Sequence, residues 1–204
     1  MSVVVLDCGL GNSGSVVNII RRVGGAATLT SQANDIESAS GIVLPGVGAF
    51  DTGVTRLRAA GVIDALNEAV LHRRVPVLGI CLGMQMMGQR SEEGVLPGLG
   101  WIAARTVPFD IDEKIRLPHM GWNEVRRREG TEFLPEVNGE CRFYFLHSYH
   151  LACDTEDMAI GWTRYGSEFV SAVQVENITG VQFHPEKSHR FGMALMEAFL
   201  RRLL

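Results

Sequence analysis

The sequence has little that would suit a membrane, a nucleic acid or a structural metal. It contains no apolar run long enough to span a bilayer. Its net charge of −4 over 204 residues provides no basic surface for nucleic acid or an anionic membrane. The four cysteines, Cys8, Cys81, Cys141 and Cys153, show no C-x-x-C or other metal-ligand spacing. We therefore expect no metal and no nucleic-acid partner.

The first residues also lack the basic segment and the cleavage site of a signal peptide. We therefore expect a cytoplasmic protein whose cysteines are reduced thiols. The chain is 46% hydrophobic and 21% charged, which is ordinary for a globular protein. It contains no linker, repeat or low-complexity segment, so we predict a single domain over residues 1–204.

Strand and helix patterns alternate in the first half of the chain and predict an α/β fold with a mostly parallel sheet. Shorter strands follow, and they predict an antiparallel section added to that sheet. The predicted strands cover residues 3–6, 27–29, 41–44, 75–78, 101–107, 114–117, 123–127, 141–150, 169–174 and 178–183. The predicted helices cover residues 16–23, 62–70 and 191–199, where apolar residues recur at helical spacing.

A cysteine flanked by two glycines stands between an apolar stretch and a helix-forming stretch. Residues 79–83 are Gly-Ile-Cys-Leu-Gly. A nucleophile at a tight turn from strand to helix is a nucleophile elbow. The glycines allow a sharp turn, and the N-terminus of the helix favours the thiolate form of Cys81. A buried structural cysteine is the alternative, and this stretch alone leaves both open.

A cysteine nucleophile needs a histidine base and a third group that orients the histidine, and His184 is the best placed of the six histidines. It ends a predicted strand, precedes Pro185 and stands two residues before Glu186. Residues two apart in an extended chain project to the same side, so the Glu186 carboxylate can reach one ring nitrogen. A surface histidine in a turn is the alternative.

The other five histidines are weaker candidates. His72 lies at a helix end, and His189 opens a helix, so both are expected on the surface. His147 and His150 are three apart in a predicted strand, so they should point to opposite faces and make a poor metal pair. His119 lies in a predicted loop.

Two glycine-rich turns follow predicted strands. Residues 45–48, Pro-Gly-Val-Gly, would place backbone N–H groups at the carboxyl edge of the sheet, where they can bind an oxyanion. Taken alone, this segment is more consistent with a plain tight turn. Gly9 and Gly11 begin a second turn that resembles a dinucleotide-binding motif. No acidic ribose partner ends a clear second strand, so we expect a turn at a site or an interface.

Several motifs together resemble those of class I (triad-type) glutamine amidotransferases. They are Pro45-Gly46-Val47-Gly48, Gly79-Ile80-Cys81-Leu82-Gly83-Met84-Gln85 and His184-Pro185-Glu186. Residues 117–123 (LPHMGWN), 143–149 (FYFLHSY) and 180–188 (GVQFHPEKS) narrow the resemblance to the glutaminase subunit of imidazole glycerol phosphate synthase. The resemblance spans essentially the whole chain. It implies a flavodoxin-like, three-layer α/β fold.

The resemblance also implies the hydrolysis of glutamine to glutamate and ammonia without a cofactor. Cys81 would attack the side-chain amide and form a thioester, His184 would act as base and then as acid, and Glu186 would orient His184. Backbone N–H groups of Val47 and Leu82 would bind the oxyanions. The residues implied to bind glutamine are Gly46, Gly48, Gln85, Ser148 and Tyr149.

The family implies a heterodimer in which ammonia passes to a (β/α)8-barrel cyclase subunit. That subunit makes imidazole glycerol phosphate and AICAR in histidine biosynthesis. Its nucleotide-derived substrate switches the glutaminase on. The residues implied at the interface are Asn12, Pro118, His119, Met120, Trp122, Asn123 and Lys187.

Some positions depart from the family pattern. The chain has Cys8 where tyrosine is usual and Ser13 where leucine is frequent. Residues 48–51, 143–150 and 189–193 resemble a paralogous branch that supplies ammonia for amidation of a surface-polysaccharide sugar, which is the alternative acceptor.

Two other classes of function also compete with the glutaminase. A different cysteine hydrolase is disfavoured by Gln85 and the Pro-Gly-Val-Gly turn. A non-catalytic regulatory subunit is disfavoured by the intact triad.

Overall fold

The computed structural model describes residues 2–110 and 115–204. Within these ranges the strands are β1 (Val3–Leu6), β2 (Ala27–Thr30), β3 (Gly41–Gly46), β4 (Val77–Cys81), β5 (Arg90–Ser91), β6 (Ala104–Pro108), β7 (His119–Glu124), β8 (Arg126–Arg127), β9 (Arg142–His147), β10 (Tyr149–Cys153), β11 (Ala159–Tyr165), β12 (Ser167–Val175) and β13 (Ile178–Val181). The helices are α1 (Ser13–Arg22), α2 (Ala33–Glu37), α3 (Phe50–Ala59), α4 (Ile63–Asn67), α5 (Leu82–Met86) and α6 (His189–Arg201). A π-helical turn (Glu68–His72) continues α4, and a 3-10 turn (Pro185–Lys187) precedes α6.

One large sheet organises the described part of the chain. Its strands follow the order β2-β1-β3-β4-β13-β12-β10-β6-β5, and β11 pairs with β12 and β8. The pairs from β2 to β13 are parallel, whereas β12 pairs antiparallel with β13, β11 and β10. The predicted fold, a mostly parallel sheet with added antiparallel strands, is therefore confirmed.

Strand β1 shows why the chain forms three layers. All four of its residues are buried, as expected for a parallel strand covered on both faces. Val3 and Val5 belong to the apolar cluster that contains residues of α1 and α6. Val4 and Leu6 belong to a second cluster, with residues of α2, α3 and α4. Successive side chains of a strand point to opposite faces, so helices pack on both sides of the sheet.

The parallel core brings three strand ends to one edge of the sheet. Gly46 at the end of β3 lies opposite Cys81 at the end of β4. On the other side of β4, Ile80 lies opposite Val181 at the end of β13. Parallel neighbours share their carboxyl edge, so the 45–48 turn, Cys81 and the segment after β13 converge there, where α/β folds bind ligands.

The later strands differ from the predicted ones. Residues 115–117, which the structure describes, form no strand, and Lys114 lies outside the described residues. The predicted loop that contains His119 is instead strand β7, which pairs antiparallel with β9 as a separate two-stranded sheet. The predicted strand 141–150 is broken at Ser148, so its two halves, β9 and β10, join different sheets. Sequence propensity alone cannot locate such a break.

Helices α2 and α3 are absent from the sequence prediction, and the predicted helix 62–70 is divided between α4 and the π-helical turn. No helix in the described ranges combines the length and the hydropathy needed to cross a membrane.

Candidate active site

Cys81 occupies a strained turn between β4 and α5. Its backbone has φ +52° and ψ −109°, in a region that residues other than glycine rarely adopt. Neither flanking glycine has a left-handed φ, so the turn does not need them for their backbone conformation. They are needed because a side chain at either position would collide with neighbouring atoms. A Cβ on Gly83 would lie 1.8 Å from the Leu44 carbonyl oxygen, and one on Gly79 would lie 2.8 Å from the Met84 nitrogen. The predicted tight turn from strand to helix at Cys81 is present, although α5 is only five residues long, and the role of Cys81 as a nucleophile stays a prediction.

His184 and Glu186 form a buried pair beside this turn. The Glu186 Oε1 atom lies 2.9 Å from His184 Nδ1, and the two side chains are 8% and 1% exposed. The predicted pairing is correct, but its predicted reason is not. The chain is not extended here, because the 3-10 turn after β13 carries Glu186 back towards the ring.

The ionisation of His184 depends on both of its neighbours. Burial lowers the pKa of His184, but contacts with Cys81 and Glu186 outweigh burial and raise this pKa to about 10. Among the described residues, Nε2 of His184 has no hydrogen-bond partner of acceptable geometry, so this nitrogen remains free for a reacting group. The contacts with Cys81 and Glu186 therefore favour the protonated form of the His184 ring.

Gln182 is a site residue that sequence reasoning missed. It is fully buried, and its Nε2 donates to the Cys81 sulfur at 3.5 Å. Its Oε1 accepts a hydrogen bond of 3.1 Å from Gln85 Nε2. An amide directly after β13 and two residues before His184 was the available signal in the sequence.

The other cysteines lie in environments that suppress reactivity. Burial raises the pKa of Cys141 to about 12, with a smaller lowering effect of Arg127 and a smaller raising effect of Glu136. Burial and two nearby aspartates raise that of Cys153 to about 11. Burial and Asp7 also raise the pKa of Cys8. A protonated thiol is a poor nucleophile, so these three cysteines are poorly suited to nucleophilic chemistry.

A cavity of about 230 Å³ opens onto the Cys81 sulfur. It is lined by Val47, Gly48, Cys81, Leu82, Gln85, Glu93, Pro118, Leu146, His147, Ser148 and Tyr149. Most of the predicted glutamine-binding residues are therefore in its wall. Gly46 is not part of this lining. It lies against Leu82 instead, where a Cβ would come within 3.0 Å of the Leu82 Cβ.

Gln85 holds the cavity wall together. Besides its bond to Gln182, its Nε2 donates to the Tyr149 carbonyl at 3.1 Å. The side chain is nearly buried, so its amide contributes to the shape of the cavity. The predicted role in binding glutamine directly stays a prediction.

The two predicted oxyanion donors differ in this structure. Leu82 is the first residue of α5, where backbone N–H groups have no acceptor within the helix. The N–H of Val47, by contrast, donates to the Leu10 carbonyl at 2.9 Å. The prediction of two free donors is therefore not met in this conformation, because the glycine-rich turn after β1 occupies the second.

Glu93 is a second residue of the cavity that the sequence did not point to. Its Oε2 accepts from the Phe50 N–H at the start of α3, at 2.9 Å. This bond holds one carboxylate in the cavity lining. A carboxylate fixed at this position suits an ammonium group on a ligand.

The predicted interface residues fall into two groups. Met120 and Trp122 are 64% and 41% exposed on the outer face of β7, and Lys187 is exposed beside the Tyr144 ring. The indole of Trp122 stacks on His189 with 5.7 Å between the ring centres. These side chains are available to a partner.

The remaining interface residues have structural contacts instead. His119 is buried, so a contact from its side chain to a partner is not available in this conformation. Pro118 lines the cavity, and Asn123 donates to His119 and to the Arg164 carbonyl. Asn12 is exposed and caps α1 through its side-chain oxygen.

The prediction that His147 and His150 point to opposite faces is wrong. The break at Ser148 changes the alternation of side chains, and both rings contact Phe109, with ring centres 5.3 and 4.8 Å away. Strand alternation holds only while the strand is continuous.

The fold and the Cys81–His184–Glu186 triad together define a glutamine amidotransferase of class I. The profile of the family described as "Glutamine amidotransferase class-I" matches residues 4–203. A solved structure described as a glutamine amidotransferase superposes with a TM-score of 0.76 at 19% identity, covering 98% of each chain, which supports the fold.

Full-length relatives narrow this assignment. "Imidazole glycerol phosphate synthase subunit HisH 2" of Methanococcus maripaludis is 46% identical over 200 residues, which cover 98% of this chain and 99% of that protein. The protein of the same name from Pseudomonas aeruginosa is 47% identical over 198 residues, covering 97% and 98%. The chain belongs to the class I glutamine amidotransferases and, within them, to the HisH glutaminase subunits.

Proposed function

We propose that this chain hydrolyses the side-chain amide of L-glutamine through a thioester on Cys81. The observation that carries the proposal is the strained cysteine at the mouth of the cavity, beside a buried His184–Glu186 pair. This arrangement contains the nucleophile, proton carrier and orienting carboxylate that cysteine catalysis requires.

The protons and bonds balance over two half-reactions. The thiolate of Cys81 attacks the amide carbon, and the carbon–nitrogen bond breaks as the His184 imidazolium gives its proton to the departing ammonia. Water then attacks the thioester, and neutral His184 accepts a proton from it. Breakage of the carbon–sulfur bond releases glutamate and restores the thiolate. The Glu186 carboxylate keeps Nδ1 protonated throughout, so Nε2 is the atom that exchanges the proton.

The cavity suits the amino-acid end of glutamine. We propose that the Glu93 carboxylate binds the α-ammonium group and that Gly48, Ser148 and Tyr149 contact the rest of this end. The oxyanion is bound by the Leu82 N–H. Since the Val47 N–H is engaged with Leu10, we expect slow turnover by the chain alone. Removing one oxyanion donor costs about 100-fold or more in kcat.

We further propose that the ammonia passes to a (β/α)8-barrel cyclase subunit of imidazole glycerol phosphate synthase, in the cytoplasm, for histidine biosynthesis. Full-length relatives named as subunits of that synthase support a partner. Met120 and Trp122, large apolar side chains exposed on one strand face, support its position on the outer side of β7.

The test is glutamate release from glutamine, measured for the chain alone and for a mixture with an imidazole glycerol phosphate cyclase subunit and its nucleotide substrate. We expect low activity alone and strong stimulation in the mixture. Cys81→Ala should abolish glutamate release, while the mixture should still make product from ammonium salts, because the cyclase needs only ammonia. Cys153→Ala is the matched control, since that thiol lies outside the cavity lining.

Glutamate release by Cys81→Ala would contradict the assignment of the nucleophile. Glutamate release by the wild-type chain without any stimulation by the cyclase would leave the hydrolysis intact but reject this acceptor for the ammonia.

A further inference from the structure

Two buried histidines lie side by side and take no part in the mechanism above; one of them, His147, is in the cavity lining. His119 of β7 and His147 of β9 are directly opposite in the two-stranded sheet. His119 Nδ1 lies 3.0 Å from His147 Nε2. His147 Nδ1 lies 2.8 Å from the Tyr149 carbonyl, and His119 Nε2 lies 3.2 Å from Asn123 Nδ2. The four residues form one continuous chain of hydrogen bonds.

The groups at the two ends of this hydrogen-bond chain determine which ring nitrogen of each histidine carries the proton. A carbonyl oxygen only accepts, so His147 Nδ1 must carry a proton and donate to Tyr149. In a neutral ring the other nitrogen is then an acceptor, so His119 Nδ1 donates to His147 Nε2. His119 Nε2 in turn accepts from the Asn123 amide, whose second N–H donates to the Arg164 carbonyl at 3.0 Å. Each contact thus joins one donor to one acceptor.

Burial keeps both rings neutral, as this assignment requires. Burial lowers the pKa of His119 to about 4. Burial also lowers the pKa of His147 to about 3. The hydrogen bond to the Tyr149 carbonyl raises this pKa by a smaller amount, and His119, His150 and His184 lower it further. The rings are also packed among Phe109, Phe145, Tyr165 and Phe169.

The chain of hydrogen bonds joins the cavity wall at one end to strand β7 at the other. At one end, the Tyr149 carbonyl accepts from both His147 and Gln85, so its two lone pairs are used and the 146–149 wall of the cavity is held in place. At the other end, β7 alternates, with His119 and Asn123 turned inward and Met120 and Trp122 turned outward. The strand that supports the cavity wall is therefore the strand that carries the exposed Trp122.

We propose that His147 and His119 are positioning residues for the glutaminase, held as neutral Nδ1–H tautomers in a chain from Asn123 to the Tyr149 carbonyl. Through these hydrogen bonds, the position of the 146–149 wall of the cavity depends on the position of β7. This inference rests on the proposed glutamine hydrolysis only for its kinetic consequence; the tautomers follow from the hydrogen bonds alone.

The first test is nitrogen-15 NMR of the histidine rings at pH 7, with His119→Phe and His147→Phe spectra used for assignment. We expect both rings to be neutral and protonated at Nδ1, the opposite of the tautomer that predominates in free histidine. A neutral His147 protonated at Nε2, or an imidazolium at either position, would overturn the proposal. This readout does not require any enzyme activity.

The second test is a kinetic comparison. His119→Phe keeps the ring volume but removes the donor to His147, and we expect the KM for glutamine to rise about tenfold, with a smaller change in kcat. His119→Asn keeps an N–H near the position of Nδ1 and should recover most of the loss. His150→Phe is the matched control and should leave KM unchanged, because His150 lies in the same aromatic cluster and, within residues 2–110 and 115–204, its ring bonds only to the Leu151 carbonyl.

Equal KM values for the wild type and His119→Phe would overturn the positioning role. If His119→Phe does not fold, the comparison of His119→Asn with His119→Leu carries the same test, since the two side chains have the same branched shape and only asparagine retains the donor. A wild-type chain with no glutaminase activity under any condition would refute the proposed hydrolysis, whereas the NMR result would still decide the tautomers.

Discussion

The contact between α5 and β3 determines where the Cys81 sulfur lies, and Gly83→Ala perturbs that contact directly. Gly83 is the second residue of α5, and the helix passes against the backbone of β3 at Leu44. A methyl group at Gly83 would lie 1.8 Å from the Leu44 carbonyl oxygen and 2.8 Å from the carbonyl carbon. The obstacle is backbone in a central strand of the sheet, so no side-chain rotation can relieve it.

The size of the effect follows from this distance. An ordinary contact between such atoms is near 3.5 Å, so α5 must move away from β3 by more than about 1 Å. A misplacement of about 1 Å at a reacting group can cost about 100-fold in rate. Forcing an extra methyl group into a packed interior also costs about 1 to 3 kcal/mol of stability. We therefore expect kcat to fall about 100-fold while the chain still folds.

The assay is glutamate release under saturating glutamine, with urea unfolding of the same sample. Gly14→Ala is the matched control, because a Cβ at that exposed position of α1 meets only the Asn12 side chain, at 3.8 Å. It should raise stability by about 0.5 to 1 kcal/mol and leave the basal activity unchanged.

A graded variant protects the test against failure to fold. Gly46→Ala would place a Cβ 3.0 Å from the Leu82 Cβ and 3.2 Å from the Gly83 nitrogen, a milder push on the same turn. We expect a smaller loss of kcat for it than for Gly83→Ala. A folded Gly83→Ala with wild-type kcat would refute the reasoning, because the position of the sulfur would then not depend on the close approach of α5 to β3.

Three further predictions concern other parts of the molecule. Gln182→Met removes the donor to the Cys81 sulfur and should slow alkylation of Cys81 by iodoacetamide about tenfold at pH 7; an unchanged rate would show that this hydrogen bond does not favour the thiolate. Trp122→Ala should weaken binding to the cyclase subunit by about 2 kcal/mol in a calorimetric titration without altering the urea midpoint, and equal affinity would remove β7 from the interface. Burial lowers the pKa values of His119 and His147 below 6.5, so the stability that they contribute is complete above pH 6.5 and is lost as the pH falls towards 4 and 3. Urea unfolding should therefore show a loss of about 3 kcal/mol for the two rings together between pH 6.5 and pH 5, which His147→Phe should reduce by about half; a flat profile would mean that these rings are not buried as neutral groups.

Short-range patterns in the sequence were sufficient for much of the fold and for placing Cys81 and His184 at the same edge of the sheet. The apolar runs at β1, β3 and β4 and the helical spacing in α1 and α6 predict their elements because each pattern lies within one element. The triad prediction needed only that Cys81 ends one parallel strand and that His184 follows another, since parallel neighbours share a carboxyl edge. The family resemblance was likewise carried by contiguous motifs.

The tertiary structure decided the features that depend on contacts between distant segments. The 3-10 turn that brings Glu186 to His184, the bond from Val47 to Leu10 and the break at Ser148 each arise from packing between elements. Pairing of β7 with β9 turned a predicted loop into a strand and buried His119 against His147. The sequence determined which residues could react, because that depends on residue type and local pattern. Only the packed chain determined which hydrogen bonds those residues make, because partners such as Gln182 for Cys81 and Leu10 for Val47 lie tens of residues away, and because the local turn after β13 sets the contact between His184 and Glu186.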